Sequence, residues 1–163
     1  MKCKEEKMED IRFEVVKRFE DSSFQINLPQ RQTYGAAGYD FEAAEDITIP
    51  PLYEKRDHKP TLVSTGVKAI MPNNVALIIA NRSSGPKRGL VLANGVGLID
   101  SDFANSTGSD GEIMFAYYNI SNALVSIKKG ERIGQGYFQH VLFIKGDEPA
   151  QRTREDGFGH TQS

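Results

Sequence analysis

"GLVLANGVGLIDSDFANSTGSDGEI", residues 89–113, is the stretch whose reading decides the fold class. Two short apolar runs flank Asn94-Gly95, the dipeptide best suited to a type I′ turn, which needs positive φ at both central residues. The stretch therefore predicts a β-hairpin that folds "GLVL" back against "GLID". From Gly95 to Phe103 apolar and polar side chains alternate, as on a half-buried strand. Seven small or acidic residues, Ala104 to Asp110, then interrupt before the apolar pattern resumes at Ile113.

Outward from this hairpin the chain keeps the same character. "IRFEVVKRF", "DITI", "TLVSTGVKAI", "VALIIA", "EIMFAYYNI", "ALVSI" and "RIGQGYFQHVLFI" are short, rich in β-branched and aromatic residues, and separated by turn formers. No long stretch holds a 3.6-residue period with caps, so the prediction is an all-β antiparallel sandwich or barrel. "PPLYEKRDHKP", residues 50–60, reads as an exposed charged loop between prolines. There is no internal repeat and no linker. The division expected is a β-barrel domain over residues 1–148 and a polar, glycine-containing, flexible tail over residues 149–163.

With 163 residues and 39% hydrophobic composition, one domain can bury roughly 70% of its unfolded surface. A net charge of −2 leaves no broad basic field, which argues against long nucleic acid as a partner. Cys3 is the only cysteine, so a disulfide framework or multi-cysteine metal site is excluded and a reducing, cytoplasmic setting is expected. The longest apolar runs, Val75 to Ala80 and Ile113 to Tyr118, fall far short of the ~20 residues of a spanning helix, so a soluble protein without membrane contact is expected.

Four constellations could carry chemistry. "NRSSGPKRG", residues 81–89, gathers Arg82, Ser83, Ser84, Gly85, Lys87 and Arg88 after an apolar strand. A guanidinium fork, two hydroxyls and a glycine that admits backbone N–H groups suit a phosphate, though basic surface loops have the same composition. Asp100 and Asp102 share strand parity and would face one side; such carboxylates either activate water or hold a divalent ion, or simply mark a solvated hairpin end. In "KKGERIGQGYF", residues 128–138, Gln135 lies between Gly134 and Gly136, the kind of glycine pair that marks close approach of a ligand or backbone, or a sheet edge. In "EDGFGHT", residues 155–161, Phe158 between two glycines could stack on a base, or belong to a frayed tail.

The order and spacing of these segments resemble the five motifs of the homotrimeric dUTPase family over nearly the whole chain, from about Gly35 to Thr161. "AAGYDFEAAEDITIPP" is similar to the first motif, "NRSSGPKRG" to the second, "NGVGLIDSDF" with "GEI" to the third, "KKGERIGQ" to the fourth and "GFGHT" to the fifth. The resemblance implies a jelly-roll β-barrel assembled as a homotrimer. It further implies hydrolysis of dUTP to dUMP and pyrophosphate with Mg²⁺ on the phosphates, which keeps uracil out of DNA and supplies dUMP for dTMP synthesis. Active sites would be shared between subunits, with the C-terminal motif closing as a lid.

Carried over residue by residue, the resemblance makes Asp100 the general base for the attacking water and leaves Asp102 outside that role. Asn94 and the main chain of Gly95, Val96 and Leu98 would read uracil, and Phe103 would pack under deoxyribose. Arg82, Ser83, Ser84 and Gln135 would bind phosphates, and Asp40 would support the metal through water. In the tail, Phe158 and Gly159 would cover the base. Arg152 and Arg154 straddle Thr153, where the family has its arginine; Arg154 is counted with the substrate-binding residues, and either of the two could be the one that reaches the γ-phosphate. The second motif is one residue short, and Asn81 stands where glycine or proline is usual.

Two other readings use the same features. The related dCTP deaminases need a glutamate at the position of Ala116, a side chain unable to activate water. A regulatory or binding protein would use the Ala104 to Asp110 insertion, seven residues where the family usually has one, as a docking loop for a protein partner; a tolerated hairpin extension is the simpler reading.

Overall fold

The structure is a computed structural model that describes residues 10–149, Ser22 and Phe24 excepted. Among these the strands are β1 Arg12–Val15, β2 Tyr39–Glu42, β3 Ile47–Ile49, β4 Thr61–Ser64, β5 Val67–Ile70 and β6 Val75–Asn81. They continue with β7 Leu90–Leu92, β8 Val96–Ile99, β9 Met114–Asn119, β10 Val125–Ile127 and β11 Arg132–His140. One short helix, α1 Lys17–Glu20, and three 3-10 turns at Leu52–Glu54, Pro86–Arg88 and Ser101–Asn105 complete the elements. The all-β expectation holds, and α1 accounts for the second half of "IRFEVVKRF", which ends as a helical turn burying Phe19.

All strand ladders are antiparallel. Their orders are β2-β11-β6-β8, β4-β9-β7, β1-β5 and β10-β3. The inward faces meet in one principal core, with Phe41, Ile49, Leu77, Ile113, Phe115, Tyr117 and Ile127 fully buried. Phe115 lies stacked over Tyr117 at 6.2 Å between centroids and tilted against Phe41 at 5.6 Å. Such contacts add to the area these rings remove from water.

β11 runs through the middle of the four-stranded sheet, bonded to β2 on one side and β6 on the other. Its two glycines answer the question raised by "RIGQGYF". A Cβ at Gly134 would lie 1.9 Å from the Phe115 ring, and one at Gly136 would lie 3.1 Å from Leu77 and Phe41. What approaches these glycines is the core, not a ligand.

The hairpin expectation around Asn94-Gly95 is corrected. Gly95 has φ +72°, whereas Asn94 is not in the left-handed region, and Gly95 N–H donates to Leu92 C=O at 3.0 Å. The chain bends here, but its arms part: β7 pairs with β9, and β8 pairs with β6 in a different sheet. The dipeptide specifies a turn, while the choice of partner strand is made by residues far away in sequence.

The Ala104 to Asp110 insertion packs back on its own chain. Ser106 is buried, the Lys17 N–H donates to Asp110 at 2.8 Å, and Lys68 Nζ stands 3.0 Å from the same carboxylate. Burial works to raise the Asp110 carboxyl, but the Lys17 N–H and the Lys68 ammonium together hold it below the usual carboxylate range. Next to it, buried Glu112 accepts from Arg18 at 2.8 and 2.9 Å, from the Ser64 hydroxyl and from the Gly66 N–H at 3.0 Å. The segment after the 3-10 turn is thereby fastened to α1 and β5.

Candidate active site

One face of the four-stranded sheet organises the candidate residues. Across the strands, Asp40 is opposite Gln135, Gln135 opposite Ala80, and Ala80 opposite Val96. Two residues further along, Tyr137, Ile78 and Leu98 form the next row. The alternate positions, among them Phe41, Leu77 and Ile79, point into the core.

The first row leads to a charged cluster. The Asp40 carboxylate, 12% exposed, lies 3.5 Å from Arg82 Nε and 3.3 Å from Arg132 Nη1. Arg82 also donates to Arg132 C=O at 3.2 Å, and Gln135 Nε2 donates to Asn81 C=O at 3.0 Å. Ser83 and Ser84 are exposed on the turn that follows. Arg88 faces away, paired with Glu131 and donating to Ser126 C=O at 2.7 Å. The Gly85 N–H turns inward and donates to Arg82 C=O at 3.0 Å.

Sequence reasoning missed Arg132. A β-bulge between Arg132 and Gly134 shifts the register of β11 against β2. Counting alternation back from Gln135 puts Arg132 on the core side; the extra residue brings it to Asp40 instead.

Asp100 lies at the other end of the sheet face. The shared parity of Asp100 and Asp102 is corrected, since β8 ends at Ile99 and residues 101–105 coil into a 3-10 turn. Asp100 is half-buried, Asp102 is exposed, and Phe103 turns inward to 5% exposure. Asp100 and Asp102 border a groove of about 470 Å³ with Asn73, Ala76 and Phe143. At the opposite end of β8, Asn94 lines a second groove of about 490 Å³ with Leu92, Ala93, Met114 and Ala116. Gly95 is exposed, as are Val96 at 57% and Leu98 at 62%.

The structure therefore brings Arg82, Ser83, Ser84, Gln135 and Asp40 together and holds Asp100 apart from them. Leu77 pairs with Ile99, so Asp100 falls beside Ala76, with which it shares a groove. Arg82 lies six residues along the chain from Ala76, which on an extended strand is about 20 Å. Arg154, Phe158 and Gly159, with Arg152, lie outside the described residues.

The family model for dUTPase matches residues 25–162. The chain belongs to the dUTPase family. The deoxyuridine 5'-triphosphate nucleotidohydrolase of Lactococcus lactis subsp. lactis (strain IL1403) is 41% identical over 151 residues, which cover 91% of this dUTPase chain and 95% of that protein. The crystal structure of dUTPase from Streptococcus mutans is 38% identical, with a TM-score of 0.71 over 82% of this chain and 98% of that one. A mutant dUTPase from phage phi11 of S. aureus, described with a structural Mg(II) ion, shares the fold at a TM-score of 0.64 and 17% identity, over 86% and 97% of the two chains.

The donor set of this dUTPase bears on a divalent ion. Among the described residues no group of three or more His, Cys, Asp or Glu side chains could hold one. Asp40 is bracketed by two guanidinium groups, which disfavours direct ligation but leaves a water-mediated role open. That fits an ion such as Mg²⁺ that keeps several waters and binds mainly to substrate phosphates. No helix among the described residues is long and apolar enough to cross a membrane.

Proposed function

We propose that the chain hydrolyses dUTP to dUMP and pyrophosphate. Asp100 takes a proton from a water whose oxygen bonds to the α-phosphorus, and the bond from that phosphorus to the bridging oxygen breaks, releasing pyrophosphate. The base lies toward Asn94 and the main chain of Gly95, Val96 and Leu98, with Phe103 backing the sugar. Arg82, Ser83, Ser84 and Gln135 bind the phosphates, and Arg154, Phe158 and Gly159 of the tail cover the bound nucleotide. Asp40 would hold Mg²⁺ through water together with the substrate phosphates, and the ion would supply charge neutralisation there.

The observation that carries this reading is the distance between its parts. Asp100 at one end of the sheet face and the Arg82 cluster about 20 Å of strand away are far apart for one triphosphate within one protomer. Two copies, each lending one end, can serve one. A homotrimer with sites shared between subunits accounts for that separation, and the exposed apolar row of Val96, Leu98 and Tyr137 supplies surface that neighbouring copies would cover.

A deaminase is not favoured, because the groove beside Asn94 has Ala116 where an acid is needed. Nor is a docking role for residues 104–110, whose Asp110 and Ser106 are engaged by the chain itself. The direct test is pyrophosphate release with Mg²⁺ from dUTP, dTTP, dCTP and UTP side by side. The expected result is strong preference for dUTP; equal turnover of dTTP or UTP would overturn the assignment of the base and sugar contacts.

A further inference from the structure

Asn81 ends β6 immediately before Arg82, and its surroundings are unusually complete. Its Nδ2 donates to Leu90 C=O at 2.8 Å, across the neck of the 82–89 loop. Leu90 N–H in turn donates to Gly85 C=O at 3.0 Å, so the neck is tied from both sides. The Tyr117 hydroxyl, which donates to Ile133 C=O at 2.7 Å, stands 3.4 Å from Asn81 Oδ1. Burial drives the Tyr117 phenol well above its ordinary range, which keeps it a donor. The main-chain carbonyl of Asn81 accepts from Gln135 at 3.0 Å. A Cβ at Gly85 would come within 2.2 Å of Asn81 Oδ1, so the loop rests directly on the carboxamide.

We propose that Asn81 is a positioning residue for triphosphate recognition: its carboxamide, backed by Tyr117, is a strut that sets the height and closure of the loop presenting Arg82, Ser83 and Ser84. Gly85 and Asn81 then form one device, since only a residue without a side chain lets the loop sit on the strut. Interactions of this kind act on ground state and transition state alike, so their loss raises KM more than it lowers kcat. The inference rests on the proposed phosphate-binding role of this loop.

The test is steady-state dUTP hydrolysis by full-length N81A, N81G, G85A and N81G/G85A proteins, with inorganic pyrophosphate as a competitive probe and thermal melting as a control. For N81A the expected outcome is a rise of about tenfold in KM for dUTP and in the pyrophosphate inhibition constant, the weight of one modest hydrogen-bonded contact. kcat stays within about threefold and the preference for dUTP over dTTP stays unchanged, because the Asn81 carboxamide bonds to Leu90 and Tyr117 and not to the proposed uracil-reading segment. G85A, which leaves the carboxamide in place and presses the loop off it, raises KM in the same way. N81G/G85A is no worse than N81G alone, because the clash has gone. Wild-type KM and pyrophosphate inhibition in N81A, or additive losses in the double variant, would overturn the proposal while an active wild-type enzyme leaves the dUTP reading standing. An inactive wild type would overturn that reading and the strut's purpose with it.

Discussion

Asp40 lies within β2 and Asp100 just past the end of β8, and their surroundings differ. Asp40 is committed to Arg82 and Arg132, whereas Asp100 borders a groove open to solvent. Asp100→Asn is expected to lower kcat by about 10² to 10⁴-fold, the usual contribution of a positioned base. It should still bind a non-hydrolysable dUTP analogue with near wild-type affinity, as read by calorimetry; comparable turnover in the mutant would remove Asp100 from the mechanism. Candidates of this sort can be nominated from sequence because acid, guanidinium and amide chemistry is written in the residue type and its order along the chain. Arg132 was not, because a bulge reverses the face it is counted onto. Asn81 was not, because its significance depends on Gly85, Leu90 and Tyr117 together.

At the level of elements, β11 and the 104–110 segment show where local reading stops. Gly134 lies under the Phe115 ring, so Gly134→Ala forces the core apart and should cost about 1 to 3 kcal/mol or more, measured by denaturant unfolding. The insertion was readable as polar and irregular, but not as an anchored segment, since its fastening points, Lys17 and Lys68, are 93 and 42 residues away from Asp110. Asp110→Asn should lower stability by about 1 to 2 kcal/mol near neutral pH. The Asp110 carboxyl is depressed in the folded chain. Its contribution is therefore present above the ordinary carboxylate pKa of about 3.9 and is lost as the pH falls through the lower folded value. Melting curves of the two proteins should converge below about pH 4, and a gap that widens on acidification would contradict the ion-pair account. Turn chemistry likewise located the bend at Gly95 but left open which strands its arms would join.

For the whole molecule, the proposed roles of Asp100 and Arg82, at opposite ends of the sheet face, make assembly a condition of the proposed activity. Light scattering should give the mass of three chains. Asp100→Asn and Arg82→Ala homotrimers should each be nearly inactive. After denaturation and refolding of the two together, random mixing should restore about a quarter of the sites if, as proposed, each site draws Asp100 from one protomer and Arg82 from another. Failure of the mixture to recover activity would mean that each protomer builds its own site.

The central place of β11 also has a bearing on how the chain emerges from the ribosome. β6 is complete at Asn81 and finds β8 soon afterwards, but its other edge waits for residues 132–140. At synthesis rates of roughly 5 to 20 residues per second that interval is about 3 to 12 s. A bare apolar edge that stands open so long is a place for wrong pairing between nascent chains. Translational pauses between β6 and β11 should therefore lower the yield of native protein more than pauses elsewhere, a burden set by strand order alone.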